Sequence, residues 1–184
     1  MQTGKIIKAL SGFYYVESNN TVYETRARGR FRNTAESPLV GDYVKFQIEN
    51  VTEGYITEIL PRKNSLIRPP VANIDQLLLT ASLKSPDFSF YLLDRFIAYS
   101  EANDINPVIV VTKNDLNDDE TLIEQIKAVY EPVYDVYFTD KAHINEDLQH
   151  VFNGNLSVLA GQSGAGKSTL LNTLLPHLDL KTDE

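Results

Sequence analysis

The sequence predicts two folded parts in tandem: a small all-β barrel, then an α/β domain built on a mostly parallel sheet. Three observations carry this. Five short segments rich in Val, Ile, Tyr and Phe, separated by turn signals, fill about the first 60 residues. From Ile74 onward, apolar runs of strand length alternate with runs at helical spacing, the pattern of parallel strands joined by crossover helices. The charge also changes sign: residues 1–70 hold ten Lys and Arg against seven Asp and Glu, and residues 71–184 hold seven against eighteen. Such asymmetry points to two domains with different partners.

The barrel strands are GKIIKAL from Gly4, FYYVES from Phe13, TVYETRA from Thr21, YVKFQIE from Tyr43 and GYITEIL from Gly54. Ser11-Gly12, Asn19-Asn20, Val40-Gly41-Asp42 and Glu53-Gly54 punctuate them. Five short strands suit a closed barrel such as the OB-fold, and strand count alone equally admits an SH3-like barrel. The connector PRKNSLIRPPVAN from Pro61 carries two adjacent prolines, which disfavour helix and central strand. A boundary near residues 64–72 is expected, giving domains over 1–66 and 72–184.

In the second part, IDQLLLTAS from Ile74 is strand-like, and YLLDRFIAYSEAN from Tyr91 sets Leu92, Leu93, Phe96 and Ile97 at helical spacing. NPVIVVTKND from Asn106 is a β-branched run. Asn117 is expected to cap the next helix, with Asp118 and Asp119 in its first turn and Leu122, Ile123, Ile126 and Val129 on its apolar face. VYDVYF from Val133, a short helix from Asn145, a strand from Leu156 and a helix from Lys167 to Pro176 complete the order.

Composition bounds the chemistry. With 184 residues, 42% hydrophobic and 23% charged, the chain reads as ordinary globular protein. It has no apolar run of 18 residues, so no membrane-spanning helix is expected, and its N-terminus lacks a signal peptide's pattern. A cytoplasmic monomer fits. Without cysteine, any metal must rest on oxygen or histidine ligands. His143, His150 and His177 show no ligand spacing, and no Ser-His-Asp set or carboxylate pair stands out.

Residues 161–168 read Gly161-Gln162-Ser163-Gly164-Ala165-Gly166-Lys167-Ser168 and fit G-x-x-x-x-G-K-[ST] at every position, between a predicted strand and a predicted helix. Glycines let backbone N–H groups turn inward around a polyphosphate, and the helix N-terminus adds a positive end. Lys167 would bridge the terminal phosphates and Ser168 would give its hydroxyl to Mg²⁺. Thr112-Lys113-Asn114-Asp115 ends a predicted strand, where open α/β sheets bind ligands. A carboxylate there can accept from guanine N1–H and the N2 amino group together. Taken alone, the four residues equally describe a loop with a helix-capping acid. Arg26, Arg28, Arg30 and Arg32 share parity, so an extended ETRARGRFR would aim four guanidiniums at one nucleic-acid backbone. A solvated strand face or a hairpin loop interrupted at Gly29 has the same sequence. The aromatics Phe13, Tyr14, Tyr15, Tyr23 and Phe31 are candidates for base stacking or for core.

The order of these motifs resembles a known family. T-K-N-D, then a strand ending Phe138-Thr139-Asp140, then GQSGAGKSTLLN reverses the usual GTPase order. With a barrel in front and the connector Arg68-Pro-Pro-Val-Ala-Asn-Ile-Asp75, the chain resembles ribosome small-subunit-dependent GTPase A, the RsgA/YjeQ/YloQ family, over its whole length. The resemblance implies an OB-fold barrel that binds RNA, followed by a circularly permuted P-loop GTPase domain. It implies GTP or GDP with Mg²⁺ as ligands, the small ribosomal subunit and its rRNA as partners, and late subunit maturation as the task. Carried over by position, Gly161 to Thr169 would hold phosphates, Thr112, Lys113, Asn114 and Asp115 would form the base loop, and Thr139 and Asp140 a second base-contact loop. Thr112 stands where many GTPases have Asn, and Asp140 departs from the usual Ser-Ala. The resemblance also implies switch threonines, a D-x-P-G carboxylate and a Cys/His zinc module after the P-loop helix. This sequence lacks them, so a shortened chain is expected that binds nucleotide with little hydrolysis, its P-loop strand at the sheet edge. No residue is nominated to position the attacking water. A P-loop ATPase, which would prefer ATP, and a non-catalytic RNA-binding module, which would bind no nucleotide, are the competing readings.

Overall fold

The first five strands are β1 (Gln2–Leu10), β2 (Phe13–Ser18), β3 (Thr21–Ala27), β4 (Tyr43–Ile48) and β5 (Glu53–Ile59). In the computed structural model, which describes residues 1–27, 29, 31, 37–141 and 146–175, they close into a barrel in the order β1-β2-β3-β5-β4. β4 pairs back onto β1, and β3 runs parallel to β5, giving an OB-like barrel. Two turn signals act as the sequence suggests. Ser11 and Gly12 both take positive φ, as do Asn19 and Asn20, the requirement of a tight two-residue hairpin turn. Strand alternation then sends Ile6, Val16, Val44, Phe46 and Ile56 inward, each fully buried, with Tyr14, Tyr23 and Phe31 packed against them.

The connector belongs to the barrel. Its short strands β6 (Ser65–Leu66) and β7 (Val71–Ala72) pair, and Asn73 donates to the Gly41 carbonyl while accepting from Lys63 N–H. Arg62 grips the buried Asp42 with two 2.7 Å hydrogen bonds. These ties put the division between compact units after Ile74, beyond the prolines.

The second unit holds β8 (Gln76–Ser82), α1 (Phe90–Glu101), β9 (Asn106–Thr112), α2 (Glu120–Tyr130), β10 (Asp135–Phe138), α3 (Glu146–Val151), β11 (Ser157–Gly161) and α4 (Lys167–Leu174). Its sheet is wholly parallel, in the order β10-β9-β8-β11. The chain steps outward from β8 to β10 and then returns to the far side of β8. Right-handed crossovers therefore place the helices on opposite faces. Leu78, Val108 and Val110 pack with Leu148 of α3 and Leu170 of α4, while Leu77, Leu79, Ile109 and Val111, also buried, take the other face by parity. β11 stands at the sheet edge among the described residues, as expected.

Two expectations for α2 are corrected. Asp119, not Asn117, caps it, accepting from Thr121 and Leu122 N–H. Asn117 instead accepts from Asp119 N–H, and Asp118 pairs with Lys84, so neither enters the helix. Val129 is 54% exposed. The inward position is Tyr130, eight residues after Leu122, whose hydroxyl donates to Asp94 at 2.7 Å while its ring stacks on Phe90. Burial and that carboxylate raise the Tyr130 pKa well above the ordinary phenol value. The expected helix bounds Asn145 and Pro176, and also His143 and His177, lie outside the described residues.

Candidate nucleotide-binding site

Four parallel strands present four carboxyl-end segments at one edge of the second unit: residues 83–89 after β8, 113–117 after β9, 139–141 after β10 and 162–166 after β11. The turnaround in strand order opens a crevice there, the usual ligand position of such sheets. It is a cleft of about 600 Å³, within the size range of small-molecule sites.

One wall is the glycine-rich loop between β11 and α4, which matches the expected phosphate-binding motif. Gly161 ends β11 against Thr80 of β8, so closely that a Cβ on it would lie 2.3 Å from the Thr80 carbonyl oxygen. Gly166, at φ +82°, is the N-cap of α4 and offers no side-chain cap. The first-turn N–H groups of α4 are thus left to an anion. Lys167 Nζ donates to the Gly161 and Gln162 carbonyls at 3.0 and 2.8 Å, and burial lowers its pKa from the ordinary 10.5. An ammonium drawn out of water is ready to gain from an anionic partner. Ser163, Gly164, Gly166, Lys167, Ser168 and Thr169 line the cleft. Ala165 is buried and Gln162 faces a small hollow beside Phe88, so these two shape the loop rather than the cleft wall.

The other wall carries Lys113, Asp115, Thr139 and Asp140. Asp115 sits in a 3₁₀ turn, Asn114–Leu116, that follows Lys113 at φ +60°. The two candidate base loops are tied where Asn114 N–H donates to the Thr139 carbonyl at 3.2 Å. Thr112 lines the cleft as well. It is 5% exposed, and its hydroxyl donates to the Ala165 carbonyl at 2.8 Å, linking base loop to phosphate loop. Sequence reasoning missed Leu116, Lys141, Asn172 and Thr173, which also line the cleft. The last two follow Thr169 by three and four residues on α4, a helical spacing that could have revealed them.

The residues brought together are a complete phosphate loop and a carboxylate at the next-but-one strand end. The family model of the RsgA GTPase matches residues 59–184, and that of the RsgA N-terminal domain matches residues 3–56. The chain belongs to the RsgA GTPase family. Among RsgA relatives, the small ribosomal subunit biogenesis GTPase RsgA of Enterococcus faecalis is 51% identical, over 98% of this chain and 62% of its own length. That of Bacillus subtilis is 49% identical, over 100% and 65%. The crystal structure of YloQ, described as a circularly permuted GTPase, superposes with a TM-score of 0.81 at 49% identity, covering 96% of this chain and 65% of that one. YjeQ from Thermotoga maritima gives 0.89 at 33% identity, covering 99% and 68%. The chain thus spans less than two thirds of the length of these curated RsgA relatives.

The barrel holds the second candidate surface. β3 carries Arg26 and ends at Ala27, while Arg28, Arg30 and Arg32 lie outside the described residues. Of the five aromatics, Tyr14, Tyr23 and Phe31 belong to the core. Phe13 and Tyr15 face outward under cations: Arg26 lies 4.5 Å from the Phe13 ring centre, and Lys8 lies 5.3 Å from that of Tyr15.

Proposed function

We propose that the cleft binds GDP or GTP with Mg²⁺, and that the whole protein is a GTPase acting on the small ribosomal subunit during its late maturation. The convergence of the Gly161–Thr169 loop and Asp115 on one cleft supports this reading. Backbone N–H groups of the loop and Lys167 hold the phosphates, and Asp115 accepts the two donors on guanine's edge. The Ser168 hydroxyl is a hard oxygen donor in the cleft wall, and it suits an ion held mainly by phosphate oxygens and water. Bound beside Ser168, such an ion would supply neutralisation of the phosphate charge. No group of this chain is assigned to the attacking water. Among the described residues no cluster of three His, Cys, Asp or Glu side chains occurs.

The barrel is the rRNA-contacting part, with Arg26, Arg28, Arg30 and Arg32 supplying phosphate contacts. Among the described residues no helix is long and apolar enough to cross a membrane, and we read the protein as a cytoplasmic monomer. Calorimetric titration with GDP, GTP, ADP and ATP tests the central point. Guanine nucleotides should bind at least tenfold more tightly, by roughly 1.4 kcal/mol or more. Preference for adenine nucleotides would replace the reading with an ATPase, and absence of binding would leave an RNA-binding module.

A further inference from the structure

The loop between β8 and α1 matches no motif, yet it touches both walls of the cleft. Leu83 N–H donates to the Thr112 carbonyl at 3.1 Å, extending the β8–β9 ladder into the base loop. Just beyond, Lys113 Nζ donates to the Ser85 carbonyl. Lys84 Nζ reaches Asp118 Oδ2 at 2.6 Å. Lys113 and Asp118 lie on either side of the 3₁₀ turn that carries Asp115. Two neighbouring residues of one loop therefore hold both ends of the arc that presents the base-reading carboxylate. The loop is itself fixed from within: Ser82, 3% exposed, donates its hydroxyl to the Pro86 carbonyl at 2.6 Å. On its far side Pro86 lies against the phosphate loop, since a Cβ on Gly164 would meet Pro86 Cδ at 3.5 Å.

We propose that this loop is a brace that sets the position of Asp115 relative to the phosphate loop, with Ser82 and Lys84 as positioning residues for guanine selectivity. The inference rests on the guanine reading of the cleft. Its physical basis is geometric. A carboxylate reads N1–H and the N2 amino group together only when both of its oxygens are in place, and site residues must be held to within about 0.5 Å for such recognition. Asp115 is exposed on a short turn, so its own packing does not fix it. The contacts at Lys113 and Asp118 do. An exposed ion pair such as Lys84–Asp118 adds little to stability, so its effect should appear in selectivity rather than in melting.

The test compares GDP, IDP, ADP and inorganic tripolyphosphate on the wild-type chain and on Lys84→Ala, Lys84→Arg and Ser82→Ala. IDP lacks the 2-amino group, so the GDP-to-IDP affinity ratio reports the second hydrogen bond to Asp115. We expect that ratio to fall by about 3- to 10-fold in Lys84→Ala and Ser82→Ala, as part of one charge-assisted hydrogen bond is lost. Tripolyphosphate affinity should hold within about twofold, and Lys84→Arg should restore the ratio. Ser82 is buried and its replacement can disturb folding; Lys84, with its side chain 43% exposed, carries the test regardless. An unchanged ratio in Lys84→Ala, or equal weakening of GDP and tripolyphosphate, overturns the brace while leaving the guanine reading standing. A wild-type chain that does not prefer GDP over ADP overturns both.

Discussion

Replacing Gly161 by alanine probes the junction on which the phosphate loop is built. The structure supplies the magnitude and a control. Gly161 has φ +148° and would place its new Cβ 2.3 Å from the Thr80 carbonyl oxygen and 2.4 Å from the Thr80 hydroxyl. The hydroxyl can rotate away. The carbonyl cannot, because β8 is hydrogen-bonded on both sides, to β9 and β11. Gly154 also has positive φ, +74°, but a Cβ there meets nothing within 4 Å. Alanine at Gly154 thus incurs backbone strain alone, about 1–2 kcal/mol. At Gly161 it adds overpacking of about 1–3 kcal/mol. At roughly 4 °C per kcal/mol for a unit of about 100 residues, Gly161→Ala should melt about 4–12 °C below Gly154→Ala. Circular-dichroism melting of the two variants measures this difference directly. Equal melting temperatures would show that β11 yields at Gly161 and that the tight β8–β11 junction does not constrain the loop.

Three further outcomes follow from the site. Lys167→Ala should weaken GDP and GTP by about 10- to 150-fold, the loss of one charge-assisted hydrogen bond to phosphate; an unchanged dissociation constant by calorimetry would remove the phosphate-loop assignment. Asp115→Asn should move base preference from guanine towards xanthine, because Asn offers one acceptor and one donor where xanthine offers the complement; competition between GDP and XDP decides it, and a retained wild-type preference for GDP would reduce Asp115 to a turn residue. Replacing Arg26, Arg28, Arg30 and Arg32 by Gln should flatten the salt dependence of RNA or subunit binding by about 0.7–0.9 in log–log slope per lost phosphate contact; an identical slope would mean that these arginines are solvated surface.

The parts of this protein legible in the sequence are those whose signal is local. The phosphate loop needs glycines at fixed offsets between a strand and a helix, and the hairpin turns need residues that tolerate positive φ, so both can be read from a few neighbouring letters. The base loop gained meaning only from the loop that follows it by some fifty residues. What stayed hidden depends on tertiary choice. Asn117, Asp118 and Asp119 are all competent caps; Asp118 pairs with Lys84, more than thirty residues earlier, and Asp119 takes the cap. Thr112 lines the cleft, and its hydroxyl reaches the Ala165 carbonyl, 53 positions away, a tie that no local pattern announces. Val129 fits the helical period as well as Tyr130 does, but only Tyr130 finds Asp94 for its hydroxyl.

The return of the chain from β10 to the far side of β8 also orders events in time. Gln76, which opens β8, hydrogen-bonds the Ser157 hydroxyl at the start of β11, 81 residues later. At about 5–20 residues per second, a ribosome needs roughly 4–16 s to deliver that partner. Until then β8, with Leu77, Leu78 and Leu79 all destined for burial, has β9 on one side and an open edge on the other. Nascent β8 is therefore exposed to mispairing along that edge, and a pairing so distant in sequence is intrinsically slow to close. The strand that leads into Gly161–Thr169 is also the one that ends this exposure, so β8 gains its second neighbour in the same event that brings this loop to the cleft.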